Sequence, residues 1–148
     1  MALLSSSAAL EVAVAMALEQ VGGFELGDVA TAKLCQHVEH SYAEVMCGIM
    51  DQFASVFGKK DHVFRLDCRD HSYSYYKLDQ EDHMLVLCDT RVKHKLASSE
   101  YNLRRQECEK GVYILSQIDP SIKSLRDANP ELLRKYKDLF GPVIYKRC

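Results

Sequence analysis

The first apolar segment of the chain predicts a helix. Residues 8–18 are apolar at ten of eleven positions, with Glu11 as the exception. A serine run precedes this segment and Gly22-Gly23 follows it, and these are residue types that begin and end helices. We therefore predict a serine-capped helix from about Ser6 to Gln20. Because its apolar residues lie on every side, we expect it to be buried all round.

Two shorter helices are predicted next. Asp28 is a typical N-cap residue, and the segment after it forms one apolar stripe, which consists of Leu34, Cys35, Val38 and Tyr42. A third helix follows Gly48 and ends at Gly58, because apolar residues recur there at the i, i+3, i+4 and i+7 positions of one helix face. These residues are Met50, Phe53, Ala54 and Phe57.

The pattern then changes to short strands before it returns to helices. We predict strands at His62–Asp67, Tyr73–Leu78 and Met84–Cys88, and helices from Ser98 or Ser99 to about Gln117 and from Asn129 to Phe140. The unbroken apolar run of the third strand predicts a central position in a sheet, and Pro130 after Asn129 is typical of a helix start. Residues 143–148 resemble the start of a further element. Together these elements predict an α+β fold with a domain boundary near Gly58–Asp61.

Composition narrows the function classes. The net charge is -2 and basic residues alternate with acidic ones, so neither nucleic acid nor an anionic membrane is expected as a partner. The six cysteines lack Cys-x-x-Cys spacing, which predicts buried, reduced thiols in a cytoplasmic protein. Residues 8–18 are too few to span a bilayer, and no basic residue precedes Lys33, so a signal peptide is not predicted.

Three segments carry groups suited to chemistry. Ser5-Ser6-Ser7 opens a helix, where free N–H groups attract anions, although serines also serve simply as caps. Asp51 lies in the first turn of an apolar helix, where it is either a general base or a partner of the helix dipole. Residues 93–102 place cations, hydroxyls and a tyrosine at a helix entrance, which is also the pattern of a solvated surface.

The predicted second helix carries two histidines and a glutamate that could ligate a metal. His37 and His40 are three residues apart on a helix, a spacing at which two histidines could share a metal. No third ligand is evident nearby, and zinc normally needs three or four, so surface histidines are the expectation. Glu39 is a separate case, because an oxygen ligand alone could serve magnesium.

Together these segments resemble the galactokinases of the GHMP small-molecule kinase family. The resemblance covers essentially the whole chain, and the pairing of Gly-Ile-Met-Asp-Gln with Ser-Glu-Tyr some 50 residues later is its most specific part. In chain order the matching segments are Leu4–Ala9, Cys47–Gln52, Gly58–His62, Leu66–Arg69, Ser98–Asn102, Arg104–Cys108 and Ser124–Asp127.

The resemblance implies a role for each motif residue. Asp51 would be the catalytic base for ATP-dependent phosphorylation of galactose at its C1 hydroxyl, in galactose catabolism, and Gly48 and Tyr101 would contact the sugar. The ATP phosphates would lie at Ser5, Ser6 and Ser7, with Ser7 and Glu39 as ligands of Mg²⁺. Lys93 stands where some relatives carry a nucleotide-contacting arginine, a replacement that keeps the charge but not the bidentate geometry.

The family fold has two α+β halves with the active site between them. The resemblance implies that residues 1–60 are the rear part of the N-terminal, ATP-binding domain. Residues 61–148 would then be the front part of the C-terminal domain.

The chain also departs from the family pattern. Leu3 stands where the family's phosphate loop has a glycine, and the N-terminal signature and the C-terminal glycine-rich motif are not in the sequence. We therefore expect a central portion of a galactokinase that is inactive alone and self-associates through exposed surfaces. The alternatives are a non-catalytic sensor or interaction protein that binds galactose and ATP on the same fold, and a kinase for another sugar such as N-acetylgalactosamine.

Overall fold

The computed structural model describes residues 5–78, 84, 86–88 and 97–148. The chain forms two compact units, Met1–His94 and Lys95–Cys148. The helices and the small sheet agree with the predicted α+β class. The division of domains at residue 60 stays a prediction.

The first unit contains three helices and a β-hairpin. In chain order its elements are α1 (Ser6–Gly22), α2 (Asp28–Tyr42), α3 (Met50–Phe57), β1 (His62–Leu66) and β2 (Tyr73–Lys77). The three predicted helices and the first two strands are therefore confirmed, with boundaries within about two residues. The strands pair antiparallel, with Phe64 opposite Tyr75.

The start of α1 differs from the predicted serine cap. Ser5 is the N-cap residue, but its φ of 50° is left-handed and its side chain makes no capping hydrogen bond. A capping serine normally has an extended backbone, from which its hydroxyl oxygen reaches an N–H of the first turn. The other end of α1 follows the prediction, because Gly23 has φ 65° and its N–H donates to the carbonyl of Glu19.

The prediction that α1 is buried all round is wrong. Only Ala8 and Val12, one turn apart, are buried, while Leu10 is 66% exposed and Leu18 is 59% exposed. The helices α2 and α3 pack against α1, and an apolar side chain is buried only where the fold supplies a surface to cover it.

The buried face of α2 also differs from the predicted stripe. Cys35 is buried, but Leu34 and Tyr42 are exposed. The buried positions are instead Thr31, Ala32, Cys35 and Glu39. The Thr31 hydroxyl donates to the Glu19 carboxylate at 2.8 Å, which links α2 to α1. Polar residues thus occupy places that apolar periodicity could not reveal.

The core of the first unit lies around α3. Phe53 is fully buried and stacks on Phe57 at 4.9 Å and on His71 at 5.6 Å between ring centroids. The hydroxyl of Tyr75 donates to the carbonyl of Phe57 at 2.6 Å. These contacts fasten the hairpin to α3 and fix the direction of that helix.

The predicted strand at residues 84–88 is not formed where the structure describes it. Positions 84 and 86–88 have no strand conformation, and Val86 and Leu87 are more than 70% exposed; position 85 lies outside the described residues. A buried strand needs pairing partners on its edges, and the described strands pair only with each other.

The second unit is helical. Its helices are α4 (Ala97–Ile118), α5 (Pro130–Lys135) and α6 (Pro142–Arg147), with single 3₁₀ turns at Leu125–Asp127 and Lys137–Leu139. As predicted, Asn129 caps α5, with its side-chain oxygen 2.7 Å from the Leu132 N–H. The helix does not continue to Phe140, because Tyr136 leaves helical geometry (φ -108°, ψ 23°) and Phe140 turns into a core with Leu115 and Ile122.

All six cysteines are free. Only Cys35 is buried, whereas Cys68 and Cys88 are exposed, so the expected burial is wrong for those two. Among the residues that the structure describes, no helix combines the length and the apolar character needed to cross a membrane.

Candidate functional site

The serine segment lies at the N-terminal end of α1. Ser5 precedes α1, and Ser6 and Ser7 begin it with exposed side chains. The first N–H groups of a helix have no intrahelical acceptor, and Ser5 supplies no side-chain cap to them. This end of α1 therefore presents backbone N–H groups and hydroxyls in a field that favours negative charge.

A buried polar cluster joins α1, α2 and α3 within the first unit. It consists of Glu11, Glu39 and Gln52, of which Glu39 is 6% exposed and Gln52 is 1% exposed. The Glu11 carboxyl lies close enough to Glu39 and Gln52 for both side chains to shift its pKa. Glu11 Oε2 and Gln52 Oε1 are buried atoms with no hydrogen-bond partner in the part of the chain that the structure describes. The cluster is thus rich in acceptor oxygens and poor in donors.

Electrostatics in this cluster favour a positive charge. Burial raises the pKa of the Glu11 carboxyl, and the nearby Glu39 carboxylate raises it further, while the hydrogen bond with Gln52 opposes the rise. Two carboxyl groups at close range repel each other when both are ionised. Oxygen donors of this kind are those magnesium prefers, so the Glu39 carboxylate and the Ser7 hydroxyl fit that ion by donor chemistry.

Gly48 and Asp51 lie at the start of α3. Gly48 is exposed, and a Cβ added to it would meet nothing within 4 Å. Its φ is not positive, so neither backbone conformation nor packing within the described residues requires glycine there. The Asp51 carboxylate is half-buried in the first turn of α3, without a hydrogen-bond or ion-pair partner among the described residues. An acceptor is therefore available beside an open stretch of backbone.

Tyr101 belongs to the second unit, on α4. It is 45% exposed and lines a groove of about 680 Å³. One wall of the groove is a face of α4 that includes Cys108 and Val112, and the other is formed by Lys123 to Leu125. The tyrosine side chain is thus accessible to a ligand from within its own unit.

The histidines of α2 do not form a pair poised for a metal. His40 Nε2 lies 2.9 Å from the Cys47 carbonyl oxygen, and His37 Nε2 lies 3.3 Å from the Ser41 hydroxyl. In the part of the chain that the structure describes, no three His, Cys, Asp or Glu side chains are grouped to hold a metal. Lys93, which stands where some relatives carry a nucleotide-contacting arginine, lies outside the described residues.

Two members of the buried cluster were not predicted as functional. Glu11 is the single charged residue of an apolar stretch and lies four residues after Ser7, on the same face of α1. That isolation was a signal, because a charge within a buried surface needs a partner. Gln52 follows Asp51 directly and gives no comparable signal, since an amide in a short helix is usually exposed.

Comparison with known proteins agrees with the motifs. Residues 4–59 match the family model described as GHMP kinases N terminal domain. Galactokinase of Thermotoga neapolitana is 45% identical over 136 residues, which is 92% of this chain and 37% of that enzyme. Galactokinase of Thermotoga maritima is 46% identical over 132 residues, which is 89% of this chain and 36% of that enzyme.

A solved structure gives the same result for the fold. The galactokinase of Lactococcus lactis, crystallised with galactose, superposes with a TM-score of 0.86 and 29% identity over 95% of this chain and 36% of its own. The comparisons confirm the resemblance to galactokinases and the GHMP-type α+β fold. The chain spans a little over a third of the length of the relatives it matches.

Proposed function

We propose that this relative of the galactokinases contributes to the ATP-dependent phosphorylation of galactose at its C1 hydroxyl. The observation that carries the proposal is the pairing of Gly48 with Asp51. Within the described residues, no packing contact requires glycine at the exposed position 48, and the Asp51 carboxylate three residues later has no hydrogen-bond or ion-pair partner. A glycine in such a place lets a ligand approach the backbone closely.

In this mechanism Asp51 is the general base. Its carboxylate accepts the proton of the C1 hydroxyl as that oxygen forms a bond to the γ-phosphorus of ATP, and the bond from that phosphorus to the bridging oxygen of ADP breaks. Asp51 need not be strongly basic, because the proton becomes more acidic as the oxygen attacks. The backbone at Gly48 contacts the sugar and orients it in this proposal. Tyr101 of the second unit is kept as a separate sugar-binding candidate, on the resemblance alone.

The start of α1 binds the phosphates in this proposal. Ser5, Ser6 and Ser7 supply backbone and hydroxyl donors, so the negative charge faces the positive end of the helix dipole. Glu39 and Ser7 would hold Mg²⁺, which supplies charge neutralisation at the phosphates when bound. Positioning and charge stabilisation of this kind account for most of the catalysis in phosphoryl transfer.

The proposal is tested by a chimera. Residues 4–148 replace the matching segment of Thermotoga maritima galactokinase, and galactose-dependent release of ADP is measured. We expect activity in the chimera and a loss of about 10²- to 10⁴-fold on Asp51→Asn, the range for a general base. Asp28→Asn is the matched control, because Asp28 is exposed in the first turn of α2. A folded chimera with Asp51 dispensable would overturn the assignment.

Calorimetry on the chain alone separates the alternatives. Binding of galactose and ATP without turnover in either the chain or the chimera favours a sensor or interaction protein. Preference of the chimera for N-acetylgalactosamine over galactose favours a kinase of another sugar. A cytoplasmic location, the absence of nucleic-acid and membrane partners, and self-association of the isolated chain are kept as predictions.

A further inference from the structure

The connection between α2 and α3 is fastened to α2 by two side chains. Gln36 Nε2 donates to the Cys47 carbonyl oxygen at 3.1 Å, and His40 Nε2 lies 2.9 Å from the same oxygen. Gln36 and His40 are four residues apart, so they share one face of α2. Both therefore reach the backbone immediately before Gly48.

The geometry fixes the role of the histidine. A carbonyl oxygen can only accept a hydrogen bond, so the proton of His40 must be on Nε2. The two donors together occupy both lone pairs of the Cys47 carbonyl. Two side chains of one helix, α2, therefore restrain the position of this carbonyl oxygen.

The next anchor lies on the other side of Gly48. Ile49 is 5% exposed and belongs to the core cluster that includes Phe53. Gly48 is thus an exposed residue between a carbonyl that accepts two hydrogen bonds and a residue whose side chain is buried. Glycine has more backbone freedom than any other residue, so anchors on both sides of Gly48 restrict the orientations that its peptide can adopt.

We propose that Gln36 and His40 are positioning residues that hold the Gly48 backbone in the orientation that binds galactose. This inference rests on the proposed function, because it assigns Gly48 to the sugar. Neither residue contacts the substrate; both act through the Cys47 carbonyl. Either donor alone still restrains that carbonyl, so loss of both has a larger effect than loss of one.

Hydrogen exchange of the backbone amides at 47–50 tests the restraint directly. His40→Leu, Gln36→Leu and the double variant remove donors, whereas His40→Gln keeps an N–H donor at similar reach. His37→Leu is the matched control, because His37 is exposed on the same helix. We expect faster exchange in the double variant, an intermediate rate in the single leucine variants, and wild-type exchange in His40→Gln and His37→Leu.

Galactose titration of the same proteins tests the role in binding. Ordering one backbone residue costs free energy equivalent to roughly a 5- to 30-fold change in affinity. The double variant should bind galactose weaker by that factor, with recovery in His40→Gln and circular dichroism confirming that each variant is folded. If the double variant does not fold, amide exchange and galactose affinity are both measured on Gln36→Leu.

The outcomes separate this inference from the proposed function. If amide exchange in the variants that lack a donor equals that of the wild type, the restraint is wrong, regardless of the galactose affinity. Faster exchange with unchanged galactose affinity overturns the positioning role and leaves the proposed function intact. If the wild-type chain binds no galactose while amide exchange responds as expected, the assignment of Gly48 to the sugar is wrong. The positioning role is then also wrong, although the restraint on the backbone is confirmed.

Discussion

Replacing Phe53 with alanine should weaken the first unit more than any change on the exposed side of the same helix. The ring is fully buried and stacks on Phe57 and His71, with centroids at 4.9 Å and 5.6 Å. Truncating a buried phenylalanine costs about 3–5 kcal/mol, to which each aromatic pair contributes about 0.5–1.5 kcal/mol. Since domains are stable by only about 5–15 kcal/mol, Phe53→Ala should lose at least about a fifth of the total.

Urea denaturation followed by circular dichroism measures this effect. At a dependence of about 1–3 kcal/mol per molar urea, the midpoint should fall by at least about 1 M. Met50→Ala is the matched control, because Met50 lies on the same helix but is 62% exposed, and its change should stay within about 0.5 kcal/mol. Equal midpoints for the two variants would refute the view that α3 is held by the Phe53 contacts.

Three further predictions concern other parts of the first unit. Changing Leu10 and Leu18, both exposed on α1, to glutamate should reduce self-association in light scattering with little change in unfolding; undiminished association would contradict this. Tyr75→Phe removes the 2.6 Å bond to the Phe57 carbonyl and should cost about 0.5–1.5 kcal/mol in urea denaturation, and no loss would count against that bond. The raised pKa of Glu11 means that the folded state keeps its proton longer than the unfolded state, so stability falls as pH rises above the ordinary value of 4.5. Glu11→Gln should flatten that fall in pH-dependent melting, and an unchanged slope would contradict it.

Elements fixed by local sequence were predictable. Asn129 and Pro130 supply a side-chain cap and a preset backbone angle within four residues, so the start of α5 follows from sequence alone. The apolar spacing of α3 predicted the burial of Phe53 and Phe57 correctly, but Met50 and Ala54 of the same predicted face are exposed and Gln52 is buried instead. Burial of α1 was not predictable, because it depends on which surfaces the rest of the fold brings to Leu10 and Leu18.

The same distinction applies to the candidate site. Gly48 and Asp51 could be proposed from the sequence because both lie in one short motif. Gln36 and His40 carried no such signal, because their partner is a backbone carbonyl that returns to α2 only after the chain has turned. Sequence thus indicates the groups that would meet a ligand more readily than those that hold them in place.

The central claim is that this chain carries the base that directs phosphate to the C1 oxygen of galactose. Phosphorus NMR of the chimera incubated with ATP, Mg²⁺ and galactose identifies the position that is phosphorylated. The account predicts galactose 1-phosphate with Asp51 present and almost none with Asp51→Asn. Phosphorylation at another hydroxyl, or equal product from a folded Asp51→Asn chimera, would contradict it.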